Sequence, residues 1–364
     1  MANNTKNSSK NGGYTPRGSG LAKNFMKDMK SYPFLIEYAN NEANGLDVQL
    51  RGEYINIYYK GGNLIRLSGR KSCFFDKNYF YLPKKGDLCM TDIDRLCHPD
   101  FEIKKRDSKV LRRMQEDELR AKHNQAIEIN NRITCQRDEI VNRLMKCDSV
   151  ESVEAIVEEM KETMDKWYAQ LVSIGQRKEE FGERTIQHYI SLQNKKFDDR
   201  TDFIVLDIEY AISANAPYAN MENRDKQPRM DILAIEKATG QVFVMELKYG
   251  MKSVDGAASA KKHYDDFRNT VGHDNKWNLF LKDIEILLKV KQENSIISPD
   301  VKIKNSKPRF AFIMKKETET DEKAFMKHIE DEELSNIPTI YLPVGVGFEN
   351  RACEWYKLSK AFMK

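Results

Sequence analysis

Three consecutive runs of β-forming residues between positions 202 and 250 constrain this chain more than any other feature of its sequence. The runs read DFIVLDIEYAI, MDILAIE and QVFVMELKYG, and a Thr239-Gly240 turn separates the second from the third. Short runs rich in Val, Ile, Tyr and Phe, bounded by turn-forming residues, are typical of successive strands. The sequence therefore predicts three strands that follow one another closely.

Charged residues interrupt two of these apolar runs. Glu246 and Lys248 alternate with apolar residues in the third run, so they project from the same face of the strand. Asp231 opens the second run and can add its carboxylate to theirs. Mg²⁺ binds oxygen ligands and is commonly held by one or two carboxylates together with water and substrate phosphates. The pattern therefore indicates a site for a divalent cation and an activated water.

Asp231, followed after a gap by Glu246-Leu247-Lys248, resembles the motif of the PD-(D/E)xK phosphodiesterase superfamily, the restriction-endonuclease-like nucleases. The resemblance covers roughly residues 180–345. It implies an α/β fold with an αβββαβ core, in which Asp231 and Glu246 bind Mg²⁺ or Mn²⁺ and Lys248 orients or deprotonates the attacking water. One departure is that Pro228 lies three residues before Asp231 instead of next to it.

Two further acids, Glu209 and Glu183, are candidate metal ligands. Glu209 and Asp207 share a face of the first strand, and acids in so apolar a strand are costly to bury unless they are paired or metal-bound. We expect Glu209 to be the third acidic ligand, with Asp207 as its neighbour. The resemblance also implies Glu183, since the helix before the first core strand often carries a Glu that faces the metal. The alternative for Glu183 is a solvated surface residue.

The segment after Lys248 predicts a helix that carries Lys262 and His263. In the resembling superfamily this helix often contacts the scissile phosphate, which makes both residues candidates for that contact. An ordinary surface or packed histidine is the alternative. A helix at 277–290 and strands at 308–316 and 337–343 complete the expected core.

Four segments are expected along the chain. Residues 1–20 are rich in Asn, Ser, Gly and Lys, which predicts a flexible tail. Residues 21–107 contain short β-rich runs and predict a small α+β domain. Residues 108–177 have apolar residues at helical spacing and a capping box at Asp148-Ser149-Val150-Glu151, which predicts a long helical hairpin. Residues 178–364 would form the nuclease-like domain.

The β-rich segment offers a second interpretation, because it interleaves cations with tyrosines. Nucleic-acid surfaces combine such residues, yet hairpins also commonly carry them on solvated faces. We favour the solvated hairpin, since no periodic basic stripe emerges. The residues concerned are Arg51, Lys60, Arg66, Arg70 and Lys71, with Tyr54, Tyr58 and Tyr59.

Composition sets the remaining bounds. The net charge is only +4, although the first thirty residues hold six cations against Asp28, six minus one or +5. Overall charge therefore does not indicate nucleic acid, and any basic footprint would be local. Six scattered cysteines without a CxxC pair indicate reduced thiols, and no apolar run approaches a membrane span. We expect a soluble, cytoplasmic protein without a membrane partner.

The first functional hypothesis is a metal-dependent nuclease that acts on DNA in preference to RNA, in restriction or anti-phage defence by resemblance. A second is a catalytically inactive nucleic-acid-binding or assembly protein on a nuclease-like core. A third is an interaction protein, either self-associating or binding a partner through the helical hairpin. In that case the Glu and Lys would form only cross-strand salt bridges.

Overall fold

The computed structural model describes residues 14, 16, 30–51, 54–68, 72–98, 114–175, 182–195, 201–220, 227–251, 254, 259–343 and 357–363. Apart from Tyr14 and Pro16, the predicted tail at 1–20 lies outside these residues. The chain divides into two compact units. The N-terminal unit is Lys23–Leu192, and the C-terminal unit combines Met1–Ala22 with Gln193–Lys364. The predicted segments 21–107 and 108–177 fall almost wholly within the N-terminal unit, and the segment 178–364 overlaps both.

The N-terminal unit contains a four-stranded antiparallel sheet in the order β1-β2-β3-β4. The turn between β2 and β3 consists of Lys60 and Gly61, with φ of 46° and 76°. Two positive φ values define the type I′ hairpin that matches strand twist, and glycine adopts such a φ without strain. The strands are β1 (Leu46–Leu50), β2 (Tyr54–Tyr59), β3 (Gly62–Ser68) and β4 (Ser72–Phe74).

Five helices of this unit are described: α1 (Tyr32–Asn40), α2 (Met90–Leu96), α3 (Glu116–Lys146), α4 (Val150–Ser173) and α5 (Glu183–Gln193). Helices α3 and α4 form the predicted hairpin, joined by Cys147–Ser149, and Arg143 pairs with Glu159 across it at 2.9 Å. A capping box does open α4, but it lies one residue further along than the predicted Asp148–Glu151 box, because Ser149 is the N-cap and Ser152 is its partner.

The basic and aromatic residues of the β-rich segment contact one another within the unit. The Arg66 guanidinium lies 4.0 Å from the centroid of the Tyr54 ring, and Lys60 Nζ lies 2.8 Å from Asp165 Oδ1. Arg51 is buried, which differs from the solvated position we expected, and it donates to the Tyr58 hydroxyl at 3.1 Å. Arg70 and Lys71 lie outside the described residues.

The C-terminal unit is built on a five-stranded mixed sheet in the order β5-β6-β7-β8-β9. Strands β5, β6 and β7 pair antiparallel, whereas β8 is parallel to both β7 and β9. A mixed α/β architecture is therefore confirmed. The elements are β5 (Phe203–Ala211), β6 (Arg229–Glu236), β7 (Val242–Tyr249), α6 (Ala260–Asn269), α7 (Trp277–Glu293), β8 (Arg309–Lys315), α8 (Asp321–Asp331) and β9 (Thr339–Leu342).

Strand β7 lies at the middle of this sheet, and seven of its eight residues are buried. A parallel connection places helices over the sheet faces, so a central strand loses solvent on both sides. Glu246 and Lys248 therefore lie inside the unit, where a charge is retained only with compensating partners.

The predictions of reduced thiols and of no membrane span can be compared with the described residues. The described cysteines Cys73, Cys89, Cys97, Cys135 and Cys147 are free thiols. Within the described ranges, no helix combines the length and the apolarity needed to cross a bilayer. The cytoplasmic location stays a prediction.

Replacing Ser149 with Ala should loosen the first turn of α4. The Ser149 hydroxyl accepts the Ser152 N–H at 3.2 Å, and losing such an N-cap costs about 1 kcal/mol. Hydrogen exchange of the amides at 150–154 should therefore accelerate. Ser173→Ala at the exposed C-terminal end of the same helix is the matched control and should change little. Equal acceleration in the two variants would contradict the capping role.

Candidate functional site

Strand pairing lines up three acidic residues across β5, β6 and β7. The pairs Ile208↔Ile232 and Tyr210↔Met230 bracket Glu209 and Asp231, which therefore stand opposite each other. The pair Ile232↔Met245 makes Glu246 the next residue opposite Asp231. Residues opposite each other on neighbouring strands project from the same sheet face. The structure thus brings Glu209, Asp231 and Glu246 into one transverse row, which we call the acidic row.

A β-bulge in β5 produces this alignment. The pairing register between β5 and β6 shifts between Val205 and Asp207, so Leu206 is an extra residue on its strand. Without that extra residue, the apolar Ile208 would stand opposite Asp231. A bulge re-aims the side chains that follow it and is common next to functional sites. Here it places Glu209 in the acidic row.

Glu246 is the most connected member of the row. Lys248 Nζ lies 3.1 Å from Glu246 Oε1, and His263 Nδ1 lies 3.1 Å from the same oxygen. The exposed fraction is 5% for Glu246 and 2% for Lys248. Two charged groups so deeply buried need good partner geometry, which this pairing supplies.

The carboxyl groups of Asp231 and Glu246 lie close enough that each affects the pKa of the other. Asp231 Oδ2 also accepts the Leu247 N–H at 2.9 Å, which fixes its carboxyl group against β7. Burial raises the pKa of both acids, and the Asp231 carboxylate raises the pKa of Glu246 further, while Lys248 opposes both shifts. When both are ionised, the two carboxylates therefore carry more negative charge than the single Lys248 ammonium group balances.

Glu209 adopts a backbone conformation that is unusual for its residue type. Its φ is 49°, a left-handed value inside a β-strand. Its side chain is partly exposed and receives a hydrogen bond from Arg229 Nη1 at 3.3 Å. The charge of Glu209 also contributes to the raised pKa of Asp231. The neighbouring Asp207 is fully buried and accepts the Ile208 N–H through Oδ1.

The two candidate phosphate contacts on α6 have different surroundings. His263 is directed at Glu246, and burial, helped by Lys248 and Lys262, lowers its pKa to about 4. Its imidazole is therefore neutral at pH 7. Lys262 is exposed on the same helix. Sequence reasoning assigned His263 to phosphate and missed its contact with Glu246.

Glu183 belongs to the N-terminal unit, where it is exposed at the start of α5 and accepts a hydrogen bond from Gln187 Nε2 at 3.3 Å. Its role as a metal ligand stays a prediction. Arg229 was not identified from the sequence. It precedes Asp231 by two residues, and alternation could have placed the two side chains on one face.

The donor set fits a hard divalent cation. Asp231 and Glu246 supply adjacent carboxyl oxygens, and Mg²⁺ is held in proteins by one or two carboxylates with water and substrate oxygens. The excess of buried acid over ammonium is what such a cation would offset. In the part of the chain that the structure describes, no group of three or more His, Cys, Asp and Glu side chains is arranged to hold a metal ion. The fit therefore rests on the two-carboxylate arrangement.

Backbone strain at Glu209 predicts that a glycine variant is more stable than an alanine variant, the reverse of the usual order in a strand. A left-handed φ costs a residue with a Cβ about 1 kcal/mol, and glycine avoids this cost. Glu209→Gly should therefore have a higher free energy of unfolding than Glu209→Ala in denaturant titrations. At Glu236, which is on β6 and is not among the residues with positive φ, glycine should be the less stable of the two variants. The same order at both positions would contradict strain at Glu209.

The raised pKa of Glu246 predicts a pH-dependent stability difference. A carboxyl group whose folded pKa exceeds its unfolded value binds more protons when folded, so its contribution is lost as pH rises above about 4.5. In chelator, the free energy of unfolding of the wild type relative to Glu246→Gln should fall from pH 5 to pH 8. A difference that is constant or rises over this range would contradict the proposed burial of an acid pair.

Known proteins give no independent assignment of this site. No protein-family model matches the chain, no curated protein matches it, and no solved structure matches it. The functional argument therefore depends on the residues of the acidic row and their partners.

Proposed function

We propose that this protein is a metal-dependent nuclease of the PD-(D/E)xK type that hydrolyses phosphodiester bonds in nucleic acid. The observation that carries the proposal is the pairing of the partly buried Asp231 with the buried Glu246 on adjacent strands, with Lys248 Nζ 3.1 Å from Glu246 Oε1. A structural ion pair needs one acid and one base. A second acid next to that ion pair raises the free energy of the metal-free protein, and a bound cation would compensate for it.

The order and pairing of the elements support the same proposal. An antiparallel β5-β6-β7 meander is followed by the helices α6 and α7 and then by β8, which is parallel to β7, and α5 precedes β5 along the chain. This succession accords with the αβββαβ core that the motif's resemblance implies. The acids lie on the second and third strands of the meander, where the motif requires them.

Four residues of this site would fill three roles. Mg²⁺ or Mn²⁺ held by Asp231 and Glu246 would neutralise the phosphate and lower the pKa of a bound water. Lys248, which is nearly fully buried beside Glu246, would hold the attacking water by hydrogen bonding. His263 is neutral at pH 7 and can exchange a proton with a phosphate or water oxygen.

Glu209 lies at the partly exposed end of the acidic row and would be a third oxygen ligand. Lys262 is exposed on α6 and would contact the substrate backbone as a point charge. We propose DNA before RNA as the substrate, on the resemblance alone. A role in restriction or anti-phage defence, a cytoplasmic location and self-association through the α3–α4 hairpin are proposals on the same footing.

One observation favours a second candidate, a binding or assembly protein without catalytic activity. Glu246 Oε1 already contacts both Lys248 Nζ and His263 Nδ1, so Glu246 and Lys248 could be a purely structural ion pair. In the third hypothesis, an interaction protein, the Glu and Lys of the motif would form only exposed cross-strand salt bridges. Burial of Glu246 and Lys248 argues against this hypothesis.

Cleavage assays separate these candidates. Purified protein should cleave linear or circular DNA, single strands or RNA with Mg²⁺ or Mn²⁺ and not with chelator. Asp231→Asn and Lys248→Met should each lower the cleavage rate by at least about 100-fold while circular dichroism stays unchanged, since proton transfer and metal ligation contribute on this scale. Asp265→Asn removes a half-exposed carboxylate that pairs with Lys261 on α6, and it should retain activity.

Either of two results would refute the nuclease. One is a wild type that cleaves none of these substrates with either metal, which would support the binding protein. The other is full activity in Asp231→Asn and Lys248→Met, which would move the catalytic centre to another part of the chain.

A further inference from the structure

Three tyrosines and one aspartate form a hydrogen-bonded cluster inside the C-terminal unit, and one of them comes from the N-terminal end of the chain. Tyr218 donates to Asp283 Oδ2 at 2.7 Å, and Tyr14 donates to the same oxygen. The hydroxyl groups of Tyr210 and Tyr218 lie 2.9 Å apart, and those of Tyr14 and Tyr218 lie 3.1 Å apart. We call these four residues the tyrosine cluster.

Ring contacts hold the cluster together. The Tyr14 and Tyr218 rings meet edge to face with centroids 6.4 Å apart. Phe280 of α7 packs against the Tyr210 ring at 5.9 Å and against the Tyr218 ring at 5.3 Å, again edge to face. Such arrangements are favourable for aromatic pairs. Tyr210 and Tyr218 are buried, whereas Tyr14 is partly buried and forms the outer member of the cluster.

Tyr14 donates one of the hydrogen bonds that stabilise the buried carboxylate of Asp283. Burial raises the pKa of Asp283, and the hydroxyl groups of Tyr14 and Tyr218 oppose that shift because they donate to the carboxylate. Removing one donor leaves a buried carboxylate under-solvated, which is more costly than the hydrogen bond alone. Asp283 therefore ties the chain segment at position 14 to α7.

The cluster reaches the acidic row through β5. Tyr210 directly follows Glu209, whose φ of 49° is strained for a non-glycine residue. A strained conformation persists only where the surrounding structure holds it. On one side of Glu209, the Leu206 bulge fixes the register of β5. On the other side, the Tyr210 hydroxyl is bonded to Tyr218 and its ring is packed on Phe280.

We propose that Tyr14 is a positioning residue for Glu209, which acts through Asp283, Tyr218 and Tyr210. Tyr14 thereby becomes part of the acidic row's support. Docking of Tyr14 keeps Tyr210 in place and so preserves the backbone conformation that directs Glu209 toward Asp231. Release of Tyr14 lets the end of β5 relax and weakens cation binding. The effect on cation binding rests on the proposed metal site, whereas the effect on β5 does not.

A double-mutant cycle on Mn²⁺ binding tests this coupling in the full-length chain. Tyr14→Phe removes one hydroxyl group and keeps the ring. Calorimetric titration should show about fivefold weaker Mn²⁺ binding in this variant, the equivalent of one hydrogen bond. In a Glu209→Gln background the same substitution should change the affinity by less than about twofold, because the ligand that it positions is already lost.

Tyr341→Phe is the matched control for this cycle. Tyr341 lies on β9 of the same unit and is buried. Its hydroxyl lies outside the tyrosine cluster, so its removal should leave the Mn²⁺ affinity unchanged. Equal weakening by Tyr14→Phe in both backgrounds would mean a general loss of structure and would overturn the positioning role.

Hydrogen exchange gives a readout that is independent of any metal. Tyr14→Phe should accelerate exchange of the β5 amides at 208–211 about fivefold in chelator, whereas Tyr341→Phe should not. Unchanged exchange would overturn the proposal even if the nuclease is confirmed. If exchange accelerates but the protein binds no Mn²⁺, Tyr14 does stabilise β5, and the proposed metal site is refuted.

Discussion

The placement of a buried carboxyl group, Glu246, and a partly buried one, Asp231, beside a single buried ammonium group is the constraint on which the C-terminal unit depends. Glu246 and Lys248 lie on the central strand, where helices and neighbouring strands exclude water. Such groups are costly to bury, and apolar residues of similar size would often be at least as stable. The Leu247 N–H on Asp231 and the His263 imidazole on Glu246 reduce that cost without removing the excess acid. The arrangement is therefore better explained by a function than by stability.

Several local irregularities of the sheet serve the same row of acids. The Leu206 bulge shifts β5 by one residue and brings Glu209 opposite Asp231. Glu209 in turn adopts a left-handed φ, and the residue after it is fixed by hydrogen bonding and ring packing. Strain of this kind is retained only where the structure around it over-determines the conformation. Residues far apart in the sequence take part, since Tyr14 donates a hydrogen bond to Asp283 of α7.

Much of the sheet could be predicted from the sequence, because strand alternation and turn residues are local signals. The three-strand run, the shared face of Glu246 and Lys248, and the later helices and strands all follow from period and punctuation. Alternation could not show the extra residue at Leu206, since a bulge depends on pairing with β6. It also could not show that Tyr14 reaches Asp283, because 269 positions separate them. The contact of His263 with Glu246 likewise depends on the packing of α6 against the sheet.

The central claim is that Asp231 and Glu246 share a divalent cation. A crystal of the full-length protein soaked in Mn²⁺ tests it most directly, through anomalous scattering at the metal's absorption edge. The account predicts one strong peak within about 2.0–2.3 Å of a carboxylate oxygen from each acid, and no such peak in Asp231→Asn. Ordered carboxyl groups without a peak between them, or a peak only at other residues, would contradict the account.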